Sequence, residues 1–287
     1  MRFPWQVSIL PVRKLGRADY PAAAELMRHA PVETVLMRGW LDQPAPSGQY
    51  FLGYFADNGD LQAVCWNGAN IIPWGFDAES LAELAGYLAG SRIFANSLVG
   101  AAQQVMPLWE LLRPTFAAPR EVRAHQLSML WQGERASVVA ADSRVRAATR
   151  SEFGLVFPAS VAMFVEEVGY DPSAKGNFYA KRVRSLIEQG WTFVRMGYDY
   201  YGRQRVEFKA DIGAFAGGVA QVQGVWVAPD LRGRGLAAPA MVAVAQQMRQ
   251  RFGVSVHLYV NDFNVPAVRT YEKAGFTVVG EYATVLL

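Results

Sequence analysis

Cysteine is nearly absent. Cys65 stands alone in 287 residues, so no disulfide can close within the chain, and a reducing compartment is the expectation. Its neighbours, Ala63-Val64-Cys65-Trp66, read as an apolar strand in which the thiol is a small buried hydrophobe. Histidine is scarce too: His29, His125 and His257 lie far apart, none has a companion at ligand spacing, and no metal site is expected. No segment approaches the roughly 18 uninterrupted apolar residues of a membrane helix. The first residues, "MRFPWQVSIL", carry Pro and Gln where a signal peptide has an unbroken apolar run. These absences predict a soluble, cytoplasmic protein without a membrane partner. Charge of one sign is also missing. The chain has 28 Lys and Arg against 25 Asp and Glu, net +3, with no long basic run, and no nucleic-acid partner is expected.

What is present is apolar mass. With 52% hydrophobic and 18% charged residues over this length, two domains are the natural prior. In the first half, "WQVSILPVRKL" reads as a strand, and "RADYPAAAELMRHA" and "PVETVLMRGWL" as helices. "QYFLGYFA" and "LQAVCWNGANIIPWGF" are strand-rich, with "DNGD" as a hairpin signal between them. "DAESLAELAGYLAG" is a helix capped by Asp77, "RIFANSLVGA" a strand, "AAQQVMPLWELLRPTF" a helix and "REVRAHQLSMLW" a strand. The polar passage "QGERASVVAADSRVRAATRSE" then separates the halves, placing a boundary near residues 132–145.

The second half repeats this order. "SVAMFVEEVGYDP" and "FYAKRVRSLIEQG" read as helices, and "WTFVRMGYDYYG" and "RQRVEFKADIGAFA" as neighbouring antiparallel strands. Strand "GGVAQVQGVWVAP", helix "RGLAAPAMVAVAQQMRQRF", strand "VSVHLYVN", helix "VPAVRTYEKAG" and the closing strand "FTVVGEYATVLL" follow. The pattern predicts an α/β protein, an α+β mixed sheet with helices on both faces, and the recurring order suggests a degenerate duplication.

One turn carries chemistry: Arg232-Gly233-Arg234-Gly235-Leu236-Ala237. Glycines allow close backbone approach to a ligand. The helix that follows begins with amides that lack internal partners and carry partial positive charge. Such a turn suits an anion, most naturally a pyrophosphate, and the arginines add charge where side chains reach phosphate. The Gly-x-Gly-x-x-Gly of dinucleotide folds and the Gly-Lys-Ser/Thr of P-loops are both absent. Pro239, about five residues on, is expected to remove a helix bond and kink or blur the helix start. A second constellation comes from Asn264, Ala267, Tyr271, Gly275 and Phe276 in "YVNDFNVPAVRTYEKAGF". Asn264 can cap a helix with Pro266 in its first turn, Tyr271 lies on the same face, and Ala267 between them leaves room for something thin.

The pattern Arg-x-x-Gly-x-Ala, preceded by "VWVAPD" and followed by the Asn264–Phe276 motif, resembles the coenzyme A signature of the GNAT superfamily of N-acetyltransferases, Gln/Arg-x-x-Gly-x-Gly/Ala. The resemblance covers roughly residues 155–287. It implies a GNAT fold for the C-terminal half and acetyl transfer from acetyl-CoA to an amine, without a metal. By resemblance, the turn Arg232 to Ala237 holds the pyrophosphate. The amides around Val225, Trp226 and Val227 bind pantetheine and polarise the thioester, and Asn264, Ala267 and Tyr271 flank the arm. Tyr271 protonates the leaving thiolate. The family's usual glutamate base falls on Gln221, which cannot accept a proton; Gln221 or Gln223 orienting a water, Glu207, or a water chain remain as substitutes. Glu166 and Glu167 either border a cationic acceptor or form a solvated helix face. Tyr198, Tyr200 and Tyr201 form either an aromatic wall or a hairpin end.

The first half has no such turn, and Asp77 and Glu79 at the corresponding helix start would repel phosphate. The arrangement resembles actinobacterial tandem-GNAT proteins, with residues 1–137 a degenerate GNAT-like domain without a cofactor turn and residues 138–287 the acetyltransferase domain. Two functions follow: an N-acetyltransferase acting on an unidentified primary amine, or a non-catalytic acyl-CoA-binding or sensing protein whose first half is a partner surface. A homodimer is left open.

Overall fold

In the computed structural model, residues 11–91, 95–174 and 176–287 are described. The signal-peptide reading of the first ten residues, the strand expected over residues 5–10 and the start of "RIFANSLVGA" lie outside them. The chain forms two compact units, Met1–Gln126 with Gly280–Leu287, and Leu127–Val279.

The first unit contains β1 (Val12–Lys14), α1 (Tyr20–Arg28), α2 (Pro31–Arg38), β2 (Tyr50–Phe55), β3 (Leu61–Asn67), β4 (Asn70–Trp74), α3 (Ala78–Ala89), β5 (Ser97–Ala101), α4 (Ala102–Leu112), the start of β6 (Glu121–Trp131) and the end of β12 (Phe276–Leu286). Its sheet runs β1-β2-β3-β4-β5-β12. Neighbours are antiparallel except β4 and β5, which are parallel and joined through α3. Leu81, Leu84, Leu88, Leu108 and Trp109 of α3 and α4 pack with Leu52, Cys65, Ile71, Leu98 and Val285 of the sheet. Cys65 is wholly buried, and burial pushes its thiol pKa up, as a small core hydrophobe requires. At the start of α3, Asp77 accepts from Ser80 N at 2.9 Å, and Ser80 Oγ receives Asp77 N at 2.9 Å. That reciprocal cap occupies the helix end with a carboxylate.

The second unit contains the rest of β6, β7 (Arg146–Ala147), α5 (Phe153–Val168), α6 (Phe178–Glu188), β8 (Thr192–Tyr198), β9 (Gln204–Ala216), β10 (Val219–Val227), α7 (Ala237–Phe252), β11 (Ser255–Asn261), α8 (Val265–Lys273) and the first residues of β12. Its sheet order is β12-β6-β11-β10-β9-β8-β7, antiparallel from β7 to β10 and parallel between β10 and β11. Alternation, reset by bulges at Glu207 and after Gln223, sorts the two faces. Phe208, Ala210, Ile212, Ala220, Val222, Val256 and Leu258 pack with α7, whereas Val194, Val206 and Trp226 pack with α5 and α6.

The patterning expected from sequence is met by this mixed α/β architecture. Two boundaries differ. Helix α5 begins at Phe153, seven residues before the expected Ser160 (160 − 153), with Pro158 inside it. Helix α7 begins at Ala237, so Pro239 falls in its first turn, where no intrahelical N–H is needed and no bond is lost. Among the described residues, no helix is long and apolar enough to cross a membrane.

Candidate active site

Strands β10 and β11 part company. Their parallel rungs join Val219 to Ser255, Ala220 to Val256 and Gln221 to His257, and among the described residues none follows. At the apex Gln221, buried, donates through Nε2 to Val222 O at 2.9 Å, closing off the carbonyl where β11 departs. Its Oε1 is buried without a hydrogen-bond partner, an acceptor that can take a hydrogen bond from a water or a substrate N–H. Immediately afterwards β10 bulges: Gln223 opposes Asp211, and Trp226 opposes Lys209. Three steps on β10 thus face two on β9 (226 − 223 against 211 − 209), which leaves Gly224-Val225 out of register. Gly224 has φ +58°, and a Cβ there would stand 3.0 Å from Met163 Cε and 3.1 Å from Asp211 Oδ2, so both conformation and crowding select glycine. After the bulge, the Val225 and Val227 side chains pack toward α7 and Trp226 toward α5.

The turn beyond β10 has Gly233 at φ +76° and Gly235 at φ +74°, and a Cβ on either would meet nothing within 4 Å. The backbone there is open to close approach. No side chain caps α7 and no acidic residue sits in its first turn, so the amides of Leu236, Ala237 and Ala238 keep their donors. The contrast with the acid-capped α3 is chemical: one helix start invites an anion and the other repels it. Arg234 is exposed and makes no hydrogen bond or ion pair among the described residues, although its charge helps lower the pKa of Asp230. Arg232 is differently placed. Its Nε donates to Val227 O at 3.0 Å, and its Nη2 donates to Glu166 Oε2 at 2.7 Å, which ties the turn to β10 and α5.

On the far wall, Asn264 caps α8, accepting from Ala267 N at 3.3 Å. Tyr271 is buried in the α7-side core, edge-on to Phe276 with ring centroids 6.0 Å apart. Burial first, and then the Glu167 carboxylate, raise its phenol pKa, and the hydroxyl has no hydrogen-bond partner among the described residues. It is therefore a protonated donor with its proton uncommitted. The two glutamates read together from sequence are separated in role: Glu166 serves Arg232 and approaches Trp226 Nε1 at 3.4 Å, while Glu167 acts electrostatically on Tyr271 and Tyr179. Tyr198, Tyr200 and Tyr201 are exposed at the β8–β9 hairpin end, where Asp199 accepts from Tyr201 N and Arg203 N. Glu207 pairs with Arg195 Nε at 2.8 Å, and Arg195 also holds Asp142, whose N–H donates to Pro239 O. This places the Glu207 carboxylate in a cluster by α7, not with Gln221.

Sequence reading passed over the polar row on the α5 side of the sheet. Lys209, with no exposed surface, donates to Asp211 Oδ2 at 2.5 Å and Gly224 O at 3.2 Å, and Asp211 Oδ1 accepts from Thr192 Oγ1 at 2.8 Å. The signal is present in "EFKADIG", where alternation sets Lys209 and Asp211 opposite the apolar Phe208, Ala210 and Ile212, but nothing local says whether that polar face is covered. His257, opposite Gln221, is within 2.9 Å of Ser128 Oγ through Nε2, and burial lowers its pKa from 6.5 to about 3. The folded protein thus holds it neutral while the unfolded chain protonates it below about pH 6.5, so stability falls as pH drops from there. Glu152, lowered to about 2 by Arg146, loses its contribution only below its ordinary 4.5. Denaturation of His257→Gln at pH 5 to 6.5 is expected to show a flatter stability slope than wild type, by up to about 1.4 kcal/mol per pH unit.

Residues 193–276 match the acetyltransferase (GNAT) family, and residues 50–156 match a domain family of unknown function, DUF4081. A mycothiol acetyltransferase of Thermobispora bispora is 33% identical over 112 residues, 39% of this chain and 32% of that protein. One from Corynebacterium aurimucosum is 42% identical over 62 residues, 22% of this chain and 20% of that protein. The matched segments thus span less than a third of either curated relative, at 20% and 32% of their lengths. Among solved structures, an acetyltransferase from the GNAT family from Colwellia psychrerythraea superposes with a TM-score of 0.59 at 12% identity, covering 96% of this chain and 99% of that one. A tandem GNAT protein from the clavulanic acid biosynthesis pathway gives 0.55 at 13% identity, covering 95% and 97%. At these identities the likeness is one of fold, and it extends over nearly the whole chain.

Proposed function

Since residues 193–276 match the acetyltransferase (GNAT) family, we propose that this protein moves acetyl from acetyl-CoA to a primary amine by direct attack. The observation that carries the reading is the parting of β10 and β11 beside an uncapped, glycine-opened start of α7. Acetyl-CoA is the co-substrate and supplies the activated acyl carbon. The open turn of Arg232, Gly233, Arg234, Gly235, Leu236 and Ala237 suits its pyrophosphate, with main-chain donors and the exposed Arg234. The parting of the strands past Gln221, with Val225, Trp226 and Val227 on β10 and Asn264, Ala267 and Tyr271 at α8, suits the pantetheine arm.

The chemistry balances with these groups. The amine nitrogen forms the new bond to the thioester carbon, the carbon–sulfur bond breaks, and Tyr271 delivers its proton to the departing thiolate. The attacking amine sheds one proton, which passes through water held at Gln221 Oε1 and ultimately restores Tyr271. Backbone donors on the bulged part of β10 face the oxygen on which charge develops. Residues 1–137 are proposed as the degenerate half, since the start of α3 is blocked to phosphate by Asp77.

Calorimetric titration of acetyl-CoA and of free CoA tests the reading, followed by release of CoA thiol against a panel of primary amines. Arg234→Ala is expected to weaken both ligands about tenfold, the loss of one charge-assisted contact. Arg232→Ala should weaken them less, because that guanidinium is already held by Val227 O and Glu166. No binding to folded wild type would remove the assignment. Binding without turnover on any amine would favour an acyl-CoA sensor.

A further inference from the structure

A buried ion pair is a poor source of stability, because the cost of stripping water from both charges offsets most of their attraction. Lys209 and Asp211 therefore call for a geometric explanation, and their position supplies one. The ammonium touches the carbonyl of Gly224, the residue at which β10 bulges, at 3.2 Å, while Asp211 and, behind it, Thr192 hold the ammonium in place. No cis peptide occurs among the described residues, so the Gly224 C=O and the Val225 N–H point in opposite directions from one rigid plane. A cation on the oxygen end fixes the aim of the N–H at the other end and polarises it. Val225 lies in the bulge and has no partner residue on β9 or β11, and a bulge sets its extra residue outside the regular ladder.

We propose that Lys209, braced by Asp211 and Thr192, is a positioning residue that orients and polarises the Gly224–Val225 peptide so that the Val225 N–H meets the thioester carbonyl. The inference rests on the acetyl-transfer reading and deepens it. It explains why this chain keeps a charge wholly out of water at the bulge: a preorganised donor helps most where it need not reorient as charge develops. It also predicts selectivity within the ligand, since only acetyl-CoA has the carbonyl, and free CoA does not.

The test uses the full chain and acetyl-CoA labelled with carbon-13 at the carbonyl, read by isotope-edited infrared difference spectra. In wild type the bound thioester band is expected below its position in the free ligand. The variant Lys209→Met with Asp211→Leu and Thr192→Val removes the hydrogen-bonded network at once, while Arg182, which Asp211 influences only through its charge, keeps its hydrogen bond to Gly213 O at 3.1 Å. It is expected to bind free CoA within about threefold of wild type, yet to lose the downshift. Asp211→Asn, which keeps the side-chain shape and withdraws only the brace, is expected to lose part of the shift and serves if the triple variant does not fold. A downshift retained in the folded variants, or absent from wild type with acetyl-CoA bound, overturns the role of Lys209 while leaving acetyl-CoA binding intact. Failure of wild type to bind either ligand overturns both readings, and calorimetry on the same samples distinguishes that case.

Discussion

Tyr271→Phe is expected to slow CoA release, with any amine that wild type acetylates, by about 10²-fold or more, the usual contribution of a positioned general acid. Affinity for acetyl-CoA should change little, because the ring stays packed against Phe276 and only an oxygen without a hydrogen-bond partner is removed. The loss therefore belongs in kcat, with the KM for acetyl-CoA nearly unchanged. The pH profile adds an independent check. The Tyr271 pKa is raised from its ordinary 10.0, chiefly by burial and then by Glu167, so the phenol keeps its proton across the working range. No alkaline fall in rate from this group is expected below about pH 10. A Glu167→Gln variant, which removes the second cause, should move the alkaline limb toward lower pH. If Tyr271→Phe retained full turnover, the acid would be a water in the cleft, and Tyr271 only a wall.

Much of the local structure of the candidate site is legible in the sequence, and the reason is local. The turn from Arg232 to Ala237 and the helix beginning at Asn264 are built from consecutive residues, and their backbone needs, positive φ and a side-chain cap, are written in residue identity. The acid cap of α3 was legible for the same reason, since Asp77 and Ser80 are three apart. What was not legible depends on which elements cover which face. The strand containing Lys209 and Asp211 has the alternation of a half-solvated strand, and only the passage of α5 over β9 and β10 turns its polar side into an interior. Glu207 is a similar case. Its carboxylate is matched with Arg195 on β8, a register pairing displaced by a bulge that no local pattern announces. Glu166 and Glu167 are adjacent in sequence, yet one braces the turn after β10 through Arg232 and the other acts on the candidate acid through its charge.

Lys209→Met alone is expected to destabilise the second unit by about 3–5 kcal/mol, the cost of leaving a buried carboxylate without its counter-charge. Asp211 is only 6% exposed, its remaining hydrogen-bonding side chain is the Thr192 hydroxyl, and Arg182 acts on it through charge alone while donating to Gly213 O. For a unit of this size such a loss corresponds to a fall of roughly 10 °C in Tm. The combined Lys209→Met, Asp211→Leu and Thr192→Val variant should recover most of that, to within about 1 kcal/mol of wild type, because both members of the ion pair are removed together and Arg182 keeps Gly213 O as its hydrogen-bond partner. The sign of the difference between single and triple variants is the informative quantity. If the triple variant is as stable as wild type, the network is not there to hold the sheet together, and its cost is borne for the orientation of the Gly224–Val225 peptide. If the triple variant is as unstable as the single one, the ammonium's hold on the Gly224 carbonyl is itself what keeps the bulge folded. In that case the thermal midpoint and the infrared shift of bound acetyl-CoA should fall together across Lys209 variants. Chemical denaturation of the three proteins at one pH decides between these, since removing a buried pair changes the midpoint with little change in the surface exposed on unfolding, and so in the slope.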